Sequence, residues 1–283
     1  MVSAVIRRKS DIFIKSKILG ALYGFAIGDS MGATTEFMTE AEIKRQYGQV
    51  DDLIGGGWLK LKPGEVTDDT QMMICVIDAI MSVSKEKGSL KAIGNDFKKE
   101  CMQNFVKWFL TGPKDVGNQC AKAIRYYMAT KQYIYLEKDA CGNGSFMRAL
   151  PFALLGLTDL NIIQGRLTHN NITCSHVIDN YTQLIQNCLN RNYQADTYRK
   201  VSPTGYVIDT YECVMRHFAN AENFKQGIIF AVNEGGDADT IAAIAGGALG
   251  AKFGIENIPD NWINKLDKEV RRKLDKFANF IVR

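Results

Sequence analysis

A chain of 283 residues, 46% hydrophobic and 23% charged, has the balance of an ordinary water-soluble globular protein. Its net charge of +4, from 35 basic and 31 acidic side chains, is too slight for the clustered basic surface of a nucleic-acid binder, so nucleic acid is not indicated as a partner. Seven cysteines, an odd number with no Cys-x-x-Cys pair, point to reduced core thiols rather than a disulfide framework or zinc site.

The opening residues, Met1 to Asp11, lack the apolar stretch and cleavage site of a signal peptide, and no apolar run is long enough to span a bilayer. A cytoplasmic protein with no membrane partner is expected. No linker or charge block divides the chain, so residues 1–283 read as one domain.

Ile14 to Ile27 reads as a helix with one apolar face, Ile18, Leu19, Leu22, Phe25 and Ala26. The glycines of Gly28-Asp-Ser-Met-Gly-Ala-Thr-Thr-Glu36 are expected to break it, leaving Asp29 and Ser30 in a solvated turn or at a site. Glu36, followed by Phe37, is oddly placed for a surface acid and is a candidate ligand or base. Arg45 to Lys62 is turn-rich, with Gly55, Gly56 and Gly57 before Trp58, and reads as a loop near the site.

Pro63 and Gly64 make a turn, Thr67 is a good N-cap, and Asp68 and Asp69 fall in the first turn of a helix running to about Ser84. Capping requires Thr67 alone. Two adjacent carboxylates repel each other unless a cation lies near. Helices are expected over Lys91–Leu110 and Gly117–Thr130, with Trp108, Phe109 and Tyr126 in the core.

Gly142-Asn-Gly-Ser145 then leads into a helix carrying Phe146, Met147, Leu150 and Leu154. Such a turn either offers backbone N–H groups to a phosphate or is simply a helix start. Arg148 could meet a phosphate or an internal acid. His169 precedes a helix from about Thr173 to Leu189, where it could bond a sugar hydroxyl or be structural; His176 and His217 read as structural or surface residues.

The stretch from Asn233 to Gly250 organises the rest. Gly235 and Gly236 precede Asp237, Asp239 and Thr240, and the run from Ile241 to Ala251 has neither charge nor a polar face, so it reads as a helix buried on all sides. One acid would suffice as a cap. The tail from Ile258 to Ile281 is expected to close the bundle as an amphipathic helix. With no convincing β run, the fold class is all-α, a compact multi-helix orthogonal bundle. Thr67-Asp68-Asp69 and Asp237-x-Asp239-Thr240 are hard oxygen ligands suited to Mg²⁺ or Mn²⁺ and, converging, could hold two ions.

Six segments occur in order: Gly24-x-x-x-Gly28-Asp-x-x-Gly32, Gly64-Glu-x-Thr67-Asp-Asp-Thr70-Gln, Gly142-Asn-Gly-Ser-x-Met-Arg148, Leu167-Thr-His169, Gly205-Tyr-Val-x-Asp209-Thr and Gly235-Gly-Asp-Ala-Asp-Thr240. Spread over about residues 16–265, the set closely resembles the ADP-ribosylglycohydrolase family. The resemblance implies an all-α fold of that type around two Mg²⁺ or Mn²⁺ ions. It also implies cleavage of the N- or O-glycosidic bond between ADP-ribose and an acceptor, an ADP-ribosylated arginine or other protein side chain above all, with ADP-ribose as product.

Carried over by position, the metal ligands are Thr67, Asp68, Asp69, Asp237, Asp239 and Thr240. Glu36 matches an acid on a loop that gates the metals. Gly142, Asn143, Gly144 and Ser145, with Met147, match the diphosphate-binding segment, and His169 a ribose contact. Ala238 replaces a common Thr that is not a ligand. Asp68 or Glu36 is the expected proton acceptor for the attacking water. Other readings are a catalytically silent ADP-ribose binder, a hydrolase of a small ADP-ribosylated metabolite or nucleic acid, a metal-dependent phosphohydrolase, and a helical interaction module.

Overall fold

The computed structural model describes residues 2–87, 94–135, 140–193 and 197–282, and within them thirteen α-helices and no β-strand. Helices α1 (Val2–Gly32) and α2 (Glu40–Tyr47) precede α3 (Asp68–Lys87), α4 (Gly94–Phe109) and α5 (Asn118–Thr130). Then come α6 (Leu150–Leu155), α7 (Thr158–Arg166), α8 (Ile172–Leu189), α9 (Val207–Asn220), α10 (Phe224–Val232) and α11 (Ala238–Phe253). The chain closes with α12 (Asp260–Lys265) and α13 (Lys268–Ile281).

The expected break at Gly28 does not occur: α1 runs on to Gly32. Gly20, Gly24, Gly28 and Gly32 recur every fourth residue, which puts them on one stripe of the helix. That stripe meets the backbone of α11 directly. A Cβ added at these four glycines would lie 2.5, 2.3, 2.0 and 2.4 Å from the carbonyl oxygens of Gly250, Gly246, Ala242 and Ala238 respectively. The glycines therefore permit close approach, and each helical glycine's cost of about 1 kcal/mol against Ala is offset by backbone-to-backbone packing. The pairing order makes the helices antiparallel. It brings the C-terminal end of α1, with its acids, beside the N-terminal end of α11.

The buried-helix expectation for α11 holds: every residue from Ala238 to Ala251 is buried. Other elements pack around this pair. Lys17 is buried with its ammonium donating to the carbonyls of Cys188, Ala251 and Lys252 at 2.9, 2.9 and 3.1 Å, so one side chain caps the C-terminal ends of α8 and α11. All seven cysteines are free, and all but the half-buried Cys141 are buried.

Two expected boundaries move, while the predicted helix start at Lys91 lies outside the described residues. Asn143–Ser145 form a single 3₁₀ turn, and α6 starts only at Leu150, with Pro151 in its first turn, where a missing N–H costs nothing. The tail divides into α12 and α13 because Asp267 caps a new helix, accepting from the N–H groups of Glu269 and Val270 at 2.8 and 3.2 Å. Trp108, Phe109 and Tyr126 are half-buried rather than core, and Trp108 donates to Gln71 Oε1 at 2.7 Å. No helix among the described residues is long and apolar enough to cross a membrane.

Candidate active site

Asp29 is the joint between α1 and α3. It is fully buried and accepts from the Thr67 N–H at 3.1 Å, the Thr67 hydroxyl at 2.8 Å and the Thr70 N–H at 3.0 Å. It therefore does much of the capping expected of Thr67, from another helix. The solvated-turn reading of Asp29 and Ser30 is corrected, since both are buried. With α3 fixed on α1, and α1 fixed on α11, Asp68 and Asp69 arrive next to Asp237 and Asp239.

The two acid clusters, over 160 residues apart in sequence, share one site: the Thr240 hydroxyl lies 3.3 Å from Asp69 Oδ2, which is also 3.3 Å from the Thr67 hydroxyl. Glu36 joins them, with one carboxylate oxygen each from Glu36, Asp237 and Asp239 lying within 4.8 Å of one another. Asp68 accepts from the Gly117 N–H at 3.2 Å, and Asp237 accepts from the Asn143 side-chain amide. Asp237 occupies the N-cap position of α11, yet its side chain makes no capping hydrogen bond. Capping does not account for it.

These acids line a cavity of about 330 Å³, within the range of small-molecule sites (roughly 300–1,000 Å³). Its lining has six carboxylates, from Glu36, Asp68, Asp69, Asp115, Asp237 and Asp239, and no Lys or Arg among the described residues. Burial first, then mutual repulsion, pushes the carboxyls up in pKa: Asp68 to about 7, and Asp69 and Asp239 well above the usual range. Glu36 rises to about 8, chiefly through burial, against the opposing hydrogen bond from Trp58. Asp69 Oδ1 is buried without a hydrogen-bond partner. Hard oxygen donors, an orphaned acceptor and no basic side chain to balance the charge fit divalent cations of the Mg²⁺ or Mn²⁺ type.

The opposite wall is built from Gly142, Asn143, Gly144, Met147 and His169. Ser145, expected beside them, is buried and does not line the cavity. The Asn143 N–H is taken by the Gly205 carbonyl at 3.0 Å, so it is not free for a phosphate. Arg148 does not line the cavity. Fully buried, it donates to Gln164 Oε1 at 2.9 Å, the Thr168 hydroxyl at 2.7 Å and the Gly144 carbonyl, tying the 142–145 turn to the segment carrying His169. The His169 Nδ1 lies 2.8 Å from the Thr168 hydroxyl, and burial, helped by Arg148, holds its pKa down at about 3. It faces the cavity as a neutral imidazole. His176 is exposed, and His217 is buried with its Nε2 2.8 Å from a Glu234 carboxylate oxygen.

Sequence reasoning missed Asp115, which lines the same cavity as Asp68 and whose carboxyl is raised in pKa by burial. The available signal was an acid two residues before Gly117, where a helix was expected to begin.

The raised carboxyl pKa values have a consequence for stability. A carboxyl normally near 4 that titrates at about 7 or 8 when folded, as for Asp68 and Glu36, favours the folded state at low pH. That stability is lost as pH rises through the folded values. In EDTA, the melting temperature is expected to fall between pH 5.5 and 8. Added Mg²⁺ or Mn²⁺ should recover it, with a larger gain at pH 8 than at 5.5. Thermal melts at both pH values check this; equal metal-induced gains at both would remove the argument.

The chain matches the family model described as ADP-ribosylglycohydrolase over residues 10–192 and 173–283. It is 36% identical over 292 residues to ADP-ribosyl-(dinitrogen reductase) glycohydrolase of Rhodospirillum rubrum, covering 93% of this chain and 95% of that one. Against the ADP-ribosylarginine hydrolase Tri1 of Serratia proteamaculans it is 28% identical over 294 residues, covering 90% and 76%. A solved structure described as an ADP-ribosylglycohydrolase-related protein complex superposes with a TM-score of 0.79 at 24% identity, covering 95% of this chain and 98% of that one, and has the same fold.

Proposed function

Since this chain belongs to the ADP-ribosylglycohydrolase family and is a hydrolase of glycosyl bonds, we propose that it releases ADP-ribose from an ADP-ribosylated arginine or other protein side chain, with divalent metal. The observation that carries this reading is the convergence of six carboxylates from four parts of the chain on one cavity with no Lys or Arg among the described residues. Such a site is costly to fold unless cations occupy it. The arginine-linked acceptor draws on the relatives, whose names specify ADP-ribosylated dinitrogen reductase and ADP-ribosylarginine.

The reaction breaks the bond between the anomeric carbon of the ribose and the acceptor nitrogen or oxygen. A bond from that carbon to a water oxygen replaces it, and the acceptor leaves with a proton. Thr67, Asp68, Asp69, Asp237, Asp239 and Thr240 are the residues that would hold Mg²⁺ or Mn²⁺. When bound, the ions supply positive charge that orients the ribose hydroxyls and makes water more acidic. Asp68 or Glu36 accepts the proton of the attacking water. Neutral His169 can exchange one hydrogen bond with a sugar hydroxyl without adding charge, and Gly142 and Gly144 let the ligand backbone approach the wall.

The test is release of free ADP-ribose from mono-ADP-ribosylated arginine and serine peptides, with Mg²⁺, with Mn²⁺ and with EDTA. Metal-dependent release from the arginine peptide is expected. Inorganic phosphate or AMP as product would make the protein a phosphohydrolase instead. Tight ADP-ribose binding without release would make it a silent binder.

A further inference from the structure

Two large aromatic side chains stand exposed at the cavity rim. Phe37 is 69% and Trp58 50% exposed, their ring centroids are 5.5 Å apart at an interplanar angle of 43°, and both line the acid-walled cavity. Paired exposed aromatics at a polar cavity mark a contact surface rather than packing. Both are held in place by the fold. Phe37 has a φ of 62°, a left-handed conformation that bulky residues avoid. It is kept there by its N–H donating to the Gly236 carbonyl at 2.7 Å, while the Gly236 N–H donates to the Met38 carbonyl at 2.9 Å. The same turn that delivers Asp237 thus pins the ring.

Trp58 is fixed from its other side. Its indole N–H donates to Glu36 at 2.6 Å. The preceding Gly57, at a φ of 65°, sits so close to α1 that an added Cβ would lie 2.0 Å from the Ala33 carbonyl oxygen. The rings therefore form a preorganised ledge beside Glu36.

We propose that Phe37 and Trp58 form the acceptor subsite, a ledge on which the planar guanidinium of an arginine-type acceptor stacks as its bond to the ribose is cleaved. Among aromatic side chains the indole face attracts guanidinium most strongly, and a planar cation stacks where a hydroxyl acceptor finds no partner. Glu36, bonded to the ledge and not among the metal-holding residues, and a lining free of Lys and Arg among the described residues suit a cation there. This inference rests on the glycohydrolase reading, which assigns an acceptor to the site, but its test can fail separately.

The variant is Phe37→Asn, since Asn tolerates left-handed backbone and so leaves the fold intact. The probe is agmatine, a guanidinium compound without ADP-ribose, followed by tryptophan fluorescence. Trp58 is the exposed reporter among three tryptophans, Trp262 being buried and Trp108 half-buried. Agmatine should give a saturable signal in the wild type, weakened roughly three- to thirtyfold in Phe37→Asn, whereas butylammonium, a cation without the plane, should bind more weakly and lose less in the variant.

The KM for an ADP-ribosyl-arginine peptide should rise by the same factor, with the KM for a serine-linked peptide and the affinity for free ADP-ribose unmoved. An agmatine response unchanged in the variant overturns the ledge. So does a loss of ADP-ribose affinity in the variant, which would place the nucleotide there instead. If agmatine binds as expected but the wild type releases no ADP-ribose from either peptide, the ledge stands and the hydrolase reading of its acceptor falls.

Discussion

Replacing Asp69 by Asn is expected to lower kcat for ADP-ribose release by roughly 10³-fold or more, while raising the melting temperature of the metal-free protein. The two effects have one cause. Asp69 is buried among like charges, with one oxygen left without a partner, so its ionised form costs stability when no cation is present. Asn keeps the size, removes the charge and still receives the hydroxyls of Thr67 and Thr240. Each kcal/mol regained raises the melting temperature by about 2–4 °C in a chain of this size. With Mg²⁺ or Mn²⁺ the order reverses, because the wild type gains binding energy that the variant has lost. Thermal melts in EDTA and in metal, beside initial rates, make the comparison. If Asp69 only capped α3, Asn would cap it nearly as well. Turnover close to wild type, with no rise in EDTA stability, would therefore return Asp69 to a structural role.

The acids were legible in the sequence because their oddity is local. Two adjacent carboxylates after Thr67, and two acids before a charge-free run, exceed what helix starts require, wherever the partners lie. The burial of α11 was legible for a similar reason: a run without a polar face has no side to turn to water. What the sequence hid is what depends on a second segment. Asp29 caps a helix 38 residues away, and nothing around it signals that distance. Asp115 is a lone acid in a turn until the fold brings it into the cavity that Asp68 lines. Ser145 and the Asn143 N–H looked available to a ligand because a glycine-flanked turn reads as open; burial and the Gly205 carbonyl take them up. Phe37 follows Glu36 in the chain and Trp58 sits in a loop read as near the site, but nothing local signals that the two rings meet.

Gly28→Ala is the sharpest test of the arrangement that brings the acids together, because local and tertiary arguments predict opposite signs. In a helix interior, Ala is favoured over Gly by about 1 kcal/mol, so α1 taken alone should be strengthened. In the folded chain the new methyl would sit 2.0 Å from the Ala242 carbonyl oxygen and 2.8 Å from the Ala243 nitrogen. Those are backbone atoms of a fully buried helix and cannot swing aside as a flexible side chain could. Separating α1 from α11 would also loosen the contacts at Gly24 and Gly32 in the same stripe. A net destabilisation of about 3 kcal/mol or more is expected, at the upper end of overpacking costs and a large share of a typical domain's 5–15 kcal/mol. Gly94→Ala is the control: Gly94 is also helical, at the start of α4, but among the described residues an added Cβ there meets nothing within 4 Å, so this variant should melt at or slightly above the wild-type temperature. Because Asp29 follows Gly28 and Asp239 lies one turn before Ala242, a Gly28→Ala protein that still folds should also show a smaller metal-induced rise in melting temperature. Should Gly28→Ala melt higher than wild type, the helices would not be in backbone contact, and the antiparallel pairing would lose its role in bringing Glu36 to Asp237 and Asp239.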